Sequence, residues 1–141
     1  MLLREILQAK GDKIYSIAPR ATLADVVQKL VEHNCGSLVV CDGGKMVGII
    51  TERDILRACA ALDEPLETIP VEARMTTDVV IGGPDNTVND TMGVMTEKRI
   101  RHLPVIDQGQ LVGLVSIGDI VKAQHAELSV ENHYLKNYIQ S

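Results

Sequence analysis

The chain repeats itself at a fixed offset of 65 residues. Residues 14–56 align with 79–121 without a gap, and twelve pairs are identical in register: Pro19/Pro84, Thr22/Thr87, Asp25/Asp90, Glu32/Glu97, Leu38/Leu103, Val40/Val105, Asp42/Asp107, Gly44/Gly109, Val47/Val112, Gly48/Gly113, Asp54/Asp119 and Ile55/Ile120. Many other pairs exchange one aliphatic residue for another. A duplication of this kind restricts the chain to two copies of one unit, because both must satisfy the same hydrophobic pattern. One copy of about 60 residues buries too little apolar surface to be comfortable alone. The two repeats are therefore expected to pack face to face around a pseudo-two-fold axis, with grooves arising in pairs.

Each repeat reads as strand, helix, strand, strand, helix, an α+β arrangement. In the first, the apolar run Ile14 to Ile17 stops at Pro19, and Thr22 with Asp25 three residues later forms a capping-box pattern. Leu23, Val26, Val27, Leu30 and Val31 fall on one helical face. Ser37 to Cys41 and Met46 to Ile50 are strand-like runs joined by Asp42-Gly43-Gly44-Lys45, a hairpin signal. A second helix is expected from about Thr51 to Leu62. The second repeat copies this plan with Asp107-Gln108-Gly109-Gln110 as its turn. Asp63 to Pro70, rich in Pro and acids, reads as an exposed connector. Val71 to Met75 resembles Leu3 to Leu7, so each repeat is expected to own a short leading helix. The domain reading is thus 1–70 for the first repeat with its helix and connector, 71–125 for the second, and 126–141 for a helical tail. Leu128, Tyr134, Leu135, Tyr138 and Ile139 make that tail weakly amphipathic, a packing or dimer element.

Composition narrows the function classes. With three Tyr, no Phe and no Trp, stacking platforms for single-stranded nucleic acid are excluded, and a net charge of −5 argues against binding a phosphate backbone. Three Cys without a C-x-x-C pair suggest neither a disulfide framework nor a zinc knuckle, which fits a reducing compartment. Arg4 and Glu5 interrupt the apolar N-terminus, and no run is long enough to span a membrane. A cytoplasmic protein with no membrane partner is expected.

The segments that carry most chemistry are Gly48-Ile49-Ile50-Thr51-Glu52-Arg53-Asp54 and Gly113-Leu114-Val115-Ser116-Ile117-Gly118-Asp119. Each sets a hydroxyl and a carboxylate three residues apart where a strand becomes a helix. Thr51/Asp54 and Ser116/Asp119 are capping boxes on local grounds. A carboxylate also has lone pairs to spare for the two hydroxyls of a ribose, and the adjoining helix N-terminus favours a phosphate. The residues are compatible with both readings.

The duplicated Gly-h-h-Thr/Ser-x-x-Asp motif (h, apolar), with Arg101-His102-Leu103-Pro104-Val105 opening a strand of the second copy, resembles a tandem pair of cystathionine β-synthase (CBS) domains, a Bateman module. The resemblance covers roughly residues 1 to 125. It implies a non-catalytic regulatory module that binds AMP, ATP, NAD or S-adenosylmethionine between its repeats and pairs into a homodimer. It further implies that Asp54 and Asp119 take the ribose, that Thr51 and Ser116 lie near ribose or phosphate, and that Arg101 and His102 meet phosphate. Arg99 lies two residues before Arg101, and Arg53, aligned with Gly118, offers a guanidinium at the Asp54 motif alone. The base would lie against Ile14, Tyr15 and Ile17 at the Asp119 site and Val79, Val80 and Ile81 at the Asp54 site, residues that equally suit a plain core strand. Asn34, Gly36 and Ser37 stand where the second repeat has Arg99, Arg101 and His102, so two sites of unequal phosphate preference are expected.

Other groups weigh less. His33, Cys35 and Cys41 match no zinc spacing, Cys59 reads as a small apolar helix residue, and no catalytic triad order recurs. Gly82-Gly83 before Pro84 reads as a loop or a close approach to the backbone. With no effector domain in the sequence, the regulated target is expected to be another protein. The alternatives are a structural interaction module with vestigial clefts and a small nucleotide-processing enzyme using His102.

Overall fold

The structure, a computed structural model, describes residues 1–11, 13–61 and 64–140. It divides into two compact units, Ile14–Val79 and Met1–Lys13 with Val80–Ser141. These are not the sequential repeats: each leading segment belongs to the unit built from the other repeat.

In the unit spanning 14–79, β1 (Ser16–Ile17), β2 (Ser37–Asp42) and β3 (Lys45–Thr51) form one sheet in that order. β1 runs parallel to β2, and β2 pairs antiparallel with β3. Between β1 and β2 lies α2 (Leu23–His33). Its capping box is complete: the Thr22 hydroxyl accepts the Asp25 N–H at 3.2 Å, and the Asp25 carboxylate accepts the Thr22 N–H at 3.0 Å. The helix ends at Asn34, whose φ of 50° is left-handed. Leu23, Val26 and Leu30 bury its apolar face, whereas Val31, read as part of that face, is 77% exposed. The sheet side of the core is Ile17, Leu38, Val40 and Ile50. The hairpin turn puts Gly43 and Gly44 at φ 59° and 80°, as a primed turn requires.

The connector is exposed at Glu64, Pro65, Glu67 and Thr68, as its composition suggests, but it also sends one residue inward. Ile69 is 5% exposed within the core, and its carbonyl accepts the Leu23 N–H at 2.9 Å. Asp63 lies outside the described residues. α3 (Glu52–Ala61) follows β3, and Val71–Ala73 forms a 3-10 turn rather than a leading α-helix. Cys59, read as apolar filling, is exposed on α3.

The other unit repeats the plan with α4 (Val88–Lys98), β4 (His102–Asp107), β5 (Gln110–Ser116) and α5 (Ile117–Gln140). Gln108 and Gly109 take φ 51° and 78° in its hairpin, matching the first. The expected first strand is absent among the described residues. Only Gly82 bridges to Val105, through Gly82 N–H to Pro104 O and Ile106 N–H to Gly82 O, both 2.9 Å. Gly-Gly-Pro extends poorly as a strand, and a Cβ on Gly82 would lie 2.7 Å from a Leu103 methyl, so this glycine answers to core packing.

α1 (Leu3–Lys10) packs here, with Leu3 and Ile6 buried beside Val88, Met95, Leu103 and Ile120. Backbone bonds from Leu3 to Asn86 O and Arg4 to Pro84 O hold its start, and Arg4 pairs with Asp85. α5 shows that the tail read as separate is continuous with the second repeat's last helix. Beyond Ala123 it leaves the core, and Leu128, Val130, Tyr134 and Leu135 are each more than half exposed. No described helix is long and apolar enough to cross a membrane.

Candidate functional site

Both strand-to-helix junctions fold in the same way. At the first, the Asp54 carboxylate accepts the Thr51 N–H at 2.9 Å and the Thr51 hydroxyl at 3.1 Å. At the second, Asp119 accepts the Ser116 N–H at 2.9 Å, and the Ser116 hydroxyl accepts the Asp119 N–H at 3.1 Å. The helix caps are therefore real. All of these carboxylate bonds fall on Oδ2, so capping leaves Oδ1 of each Asp to serve something else.

The backbone around each junction also matches. The Glu52 N–H donates to Gly36 O at 3.0 Å, and 65 residues later the Ile117 N–H donates to Arg101 O at 2.8 Å. In the hairpins Ser37 lies directly opposite Thr51, and His102 directly opposite Ser116. Opposed residues share a sheet face. Thus His102, Ser116 and Asp119 gather in one unit, and Ser37, Thr51 and Asp54 in the other.

Sequence reasoning weighed Ser37 only as the residue aligned with His102, and it proves to be the odd polar group of its unit. It is 3% exposed, and its hydroxyl is the one buried side-chain polar atom among the described residues without a hydrogen-bond partner. Such a group loses its hydration without compensation. The parallel with His102 was the signal that could have found it.

Sequence reasoning missed Lys10 altogether. Its ammonium donates to Asp119 Oδ2 at 2.7 Å and to Leu114 O at 2.8 Å. Burial alone would push the Asp119 carboxyl up, but the Lys10 ammonium and the Ser116 N–H hold it below the usual carboxylate range. In the other unit the residue 65 positions on is Met75, and the carbonyl equivalent to Leu114 O, that of Ile49, accepts the Thr76 N–H at 2.9 Å instead. A backbone bond in one unit is thus replaced by a lysine in the other.

A carboxyl held below its unfolded value of about 4 stabilises the fold above that pH and loses the contribution as pH falls through the folded value. Lys10→Met should consequently cost up to about 1 kcal/mol at neutral pH, the pair being part exposed, with the difference from the parent shrinking below about pH 4. Urea melts of both proteins at pH 7 and pH 3 check it. An equal difference at both pH values would contradict it.

The remaining candidates are placed as follows. Arg101 and Arg99 are exposed at the approach to β4, and Arg99 is the left-handed residue ending α4, with φ 56°. Arg53 is exposed on the first turn of α3. Ile17 is taken up by the core of its unit, while Ile14 is half-buried. Tyr15 stacks on His33, with ring centroids 3.8 Å apart. Val79 and Val80 are half-buried, Val80 against its own unit's core, and Ile81 is 51% exposed. No described group of three or more His, Cys, Asp or Glu is arranged to hold a metal ion, and burial pushes the Cys41 thiol up.

A family model described as CBS domain matches the chain twice, at residues 4–61 and 69–126. An uncharacterized 17.7 kDa protein in the bps2 3′ region of Acidianus ambivalens is 41% identical over 121 residues, covering 84% of this chain and 72% of that protein. Among solved structures, the CBS-domain containing protein ATU1752 from Agrobacterium tumefaciens is 34% identical with a TM-score of 0.85, covering 88% of this chain and 99% of that one. The CBS domain pair of protein MJ0100, solved in complex with 5′-methylthioadenosine and S-adenosyl-L-methionine, is 27% identical with a TM-score of 0.79, covering 90% and 98%.

Proposed function

Because the chain belongs to the CBS-domain family and carries the domain twice, we propose that it is a regulatory, non-catalytic protein that binds adenine nucleotides of the AMP, ATP or NAD class and signals their level to a partner protein. The observation that carries this reading is the arrangement at Asp54 and Asp119. In each, capping uses one carboxylate oxygen and leaves the other beside a helix N-terminus, with a hydroxyl at hand. A ribose diol needs such an acceptor, and a phosphate is favoured by the helix end. The adenosine compounds held by MJ0100 support the ligand class. In this reading Thr51 and Ser116 lie against ribose or phosphate, and Arg101, His102, Arg53 and Arg99 supply the positive charge. The half-buried Ile14, Tyr15, Val79 and Val80 offer apolar surface to a base. A homodimer and a cytoplasmic location complete the proposal. A single monomeric species in sedimentation at micromolar concentration would remove the dimer from it.

A thermal-shift panel of AMP, ADP, ATP, NAD, NADH and S-adenosylmethionine tests it. A ligand at about 100 times its dissociation constant should stabilise by roughly 2.7 kcal/mol, about 9 °C for a chain of this size. Asp119→Ala should weaken binding beyond what the loss of a cap, about 1 kcal/mol of stability, explains. Calorimetry showing the folded variant binding as tightly as the parent would remove Asp119 from the site.

The satisfied caps favour a second reading, in which the module is purely structural and the carboxylates only terminate helices. No shift with any member of the panel would select it.

A further inference from the structure

The two carboxylates that sequence symmetry makes equivalent are not electrostatically equivalent. Asp54 receives described bonds only from Thr51, and the buried Ser37 hydroxyl on the same sheet face lacks a partner. Asp119 is held by Lys10, which reaches it from α1 and also binds the Leu114 carbonyl. The side chains of this pair are 36% and 23% exposed, so solvent screens it only in part.

We propose that Lys10 is a specificity-determining residue, a tethered cation that competes with uncharged diols for Asp119 and directs them to the Asp54 junction. The inference rests on the adenosine reading given above. A neutral ribose reaching Oδ1 donates to a carboxylate whose charge the Lys10 ammonium, 2.7 Å from Oδ2, already offsets, so its bonds are weaker than those to an uncompensated carboxylate. At Asp54 the described bonds come from Thr51 alone, and no lysine among the described residues offsets the carboxylate. A ligand carrying phosphate differs, because it brings a second anion that the ammonium can serve, and the competition is relieved. The Asp119 junction thus discriminates by charge, and its discriminator arrives on a helix that is distant in sequence.

Adenosine binding, measured by titration calorimetry on the parent, Lys10→Met and Lys10→Arg, tests the proposal, with Asp119→Asn in the Lys10→Met background to assign the site. Methionine is the residue found at the matching position of the other repeat. Lys10→Met should tighten adenosine binding about three- to tenfold. Lys10→Arg should behave as the parent, and the gain should vanish with Asp119→Asn. Raised salt should narrow the gap between parent and Lys10→Met. If Lys10→Met does not fold, Lys10→Gln gives the same comparison. Unchanged or weakened adenosine binding on loss of the lysine overturns the proposal and leaves the adenosine reading intact. Failure of the parent and every variant to bind adenosine or AMP overturns that reading, and the proposal with it.

Discussion

Gly48→Ala is expected to destabilise the protein by about 3 kcal/mol, whereas Gly113→Ala should stay within about 1 kcal/mol of the parent. Both glycines open the motif that closes a repeat, and both are pressed by a leading segment crossing the last strand. What presses differs. A Cβ on Gly48 would lie 2.8 Å from the Met75 sulfur and 2.8 Å from the Thr76 carbonyl oxygen. That carbonyl cannot retreat freely, because it accepts the Ile49 N–H at 3.0 Å while the Thr76 N–H donates to Ile49 O at 2.9 Å. Adding a methyl group there forces apart two backbone bonds. At Gly113 the three atoms nearest the added carbon all belong to the Leu7 side chain, its two methyls and its Cγ, and this partly buried side chain can rotate away where a backbone carbonyl cannot. Alanine also restricts the unfolded chain, which returns about 0.4–1 kcal/mol where the native conformation tolerates it. Thermal melts read the contrast as a drop of about 10 °C for Gly48→Ala and little change for Gly113→Ala. Equal drops would mean that the leading segments do not seat on these glycines as described.

The same contact shows what a linear reading can and cannot reach. The hairpins, the helix caps at Thr22, Thr51 and Ser116, and the buried face of α2 apart from Val31 were legible because each depends on residues within a few positions of one another. The seat of the leading segments was not. Leu3, Ile6 and Leu7 would suit the last strand of either repeat, and the choice is made by partners distant in sequence: Asn86 and Pro84 for the start of α1, Asp119 and Leu114 for its end. Sequence order therefore assigned α1 to the repeat that follows it, while the folded chain places it in the unit of the other. Lys10 escaped notice for the same reason, since nothing within residues 1–13 marks it as a partner of a carboxylate 109 positions away. Ser37 was visible only as the counterpart of His102. Its burial without a partner is a property of the packed sheet, which no local pattern encodes. The missing first strand of the second repeat shows the opposite failure. There the duplication argued for a strand, and Gly82-Gly83-Pro84 overrode it locally, leaving one bridge.

Arg101→Ala should abolish a preference of tenfold or more for AMP over adenosine at the Asp119 junction, with little effect on stability. The comparison is unusually direct because the two repeats differ here in side chain and not in backbone. Gly36 and Arg101 use their carbonyls in the same way, each accepting the first N–H of the helix that follows the motif, at 3.0 Å and 2.8 Å. The first unit offers no side chain at that point, and the second an exposed guanidinium. A charge-assisted bond from guanidinium to phosphate contributes about 1.5–3 kcal/mol when partly desolvated, and every 1.4 kcal/mol is about tenfold in affinity. Adenosine lacks the phosphate and should be indifferent to the substitution. Arg53 supplies the counterpart at the other junction, on the first turn of α3, so Arg53→Ala should lower the AMP-to-adenosine ratio at Asp54 and leave that at Asp119 unchanged. Exposed arginines contribute little to folding, so both variants should melt within about 2 °C of the parent, which separates a binding effect from a structural one. Titration of AMP and adenosine into the three proteins decides it. Equal ratios in all three would show that these cations do not read phosphate, and the inequality of the two junctions would then rest on Lys10 alone.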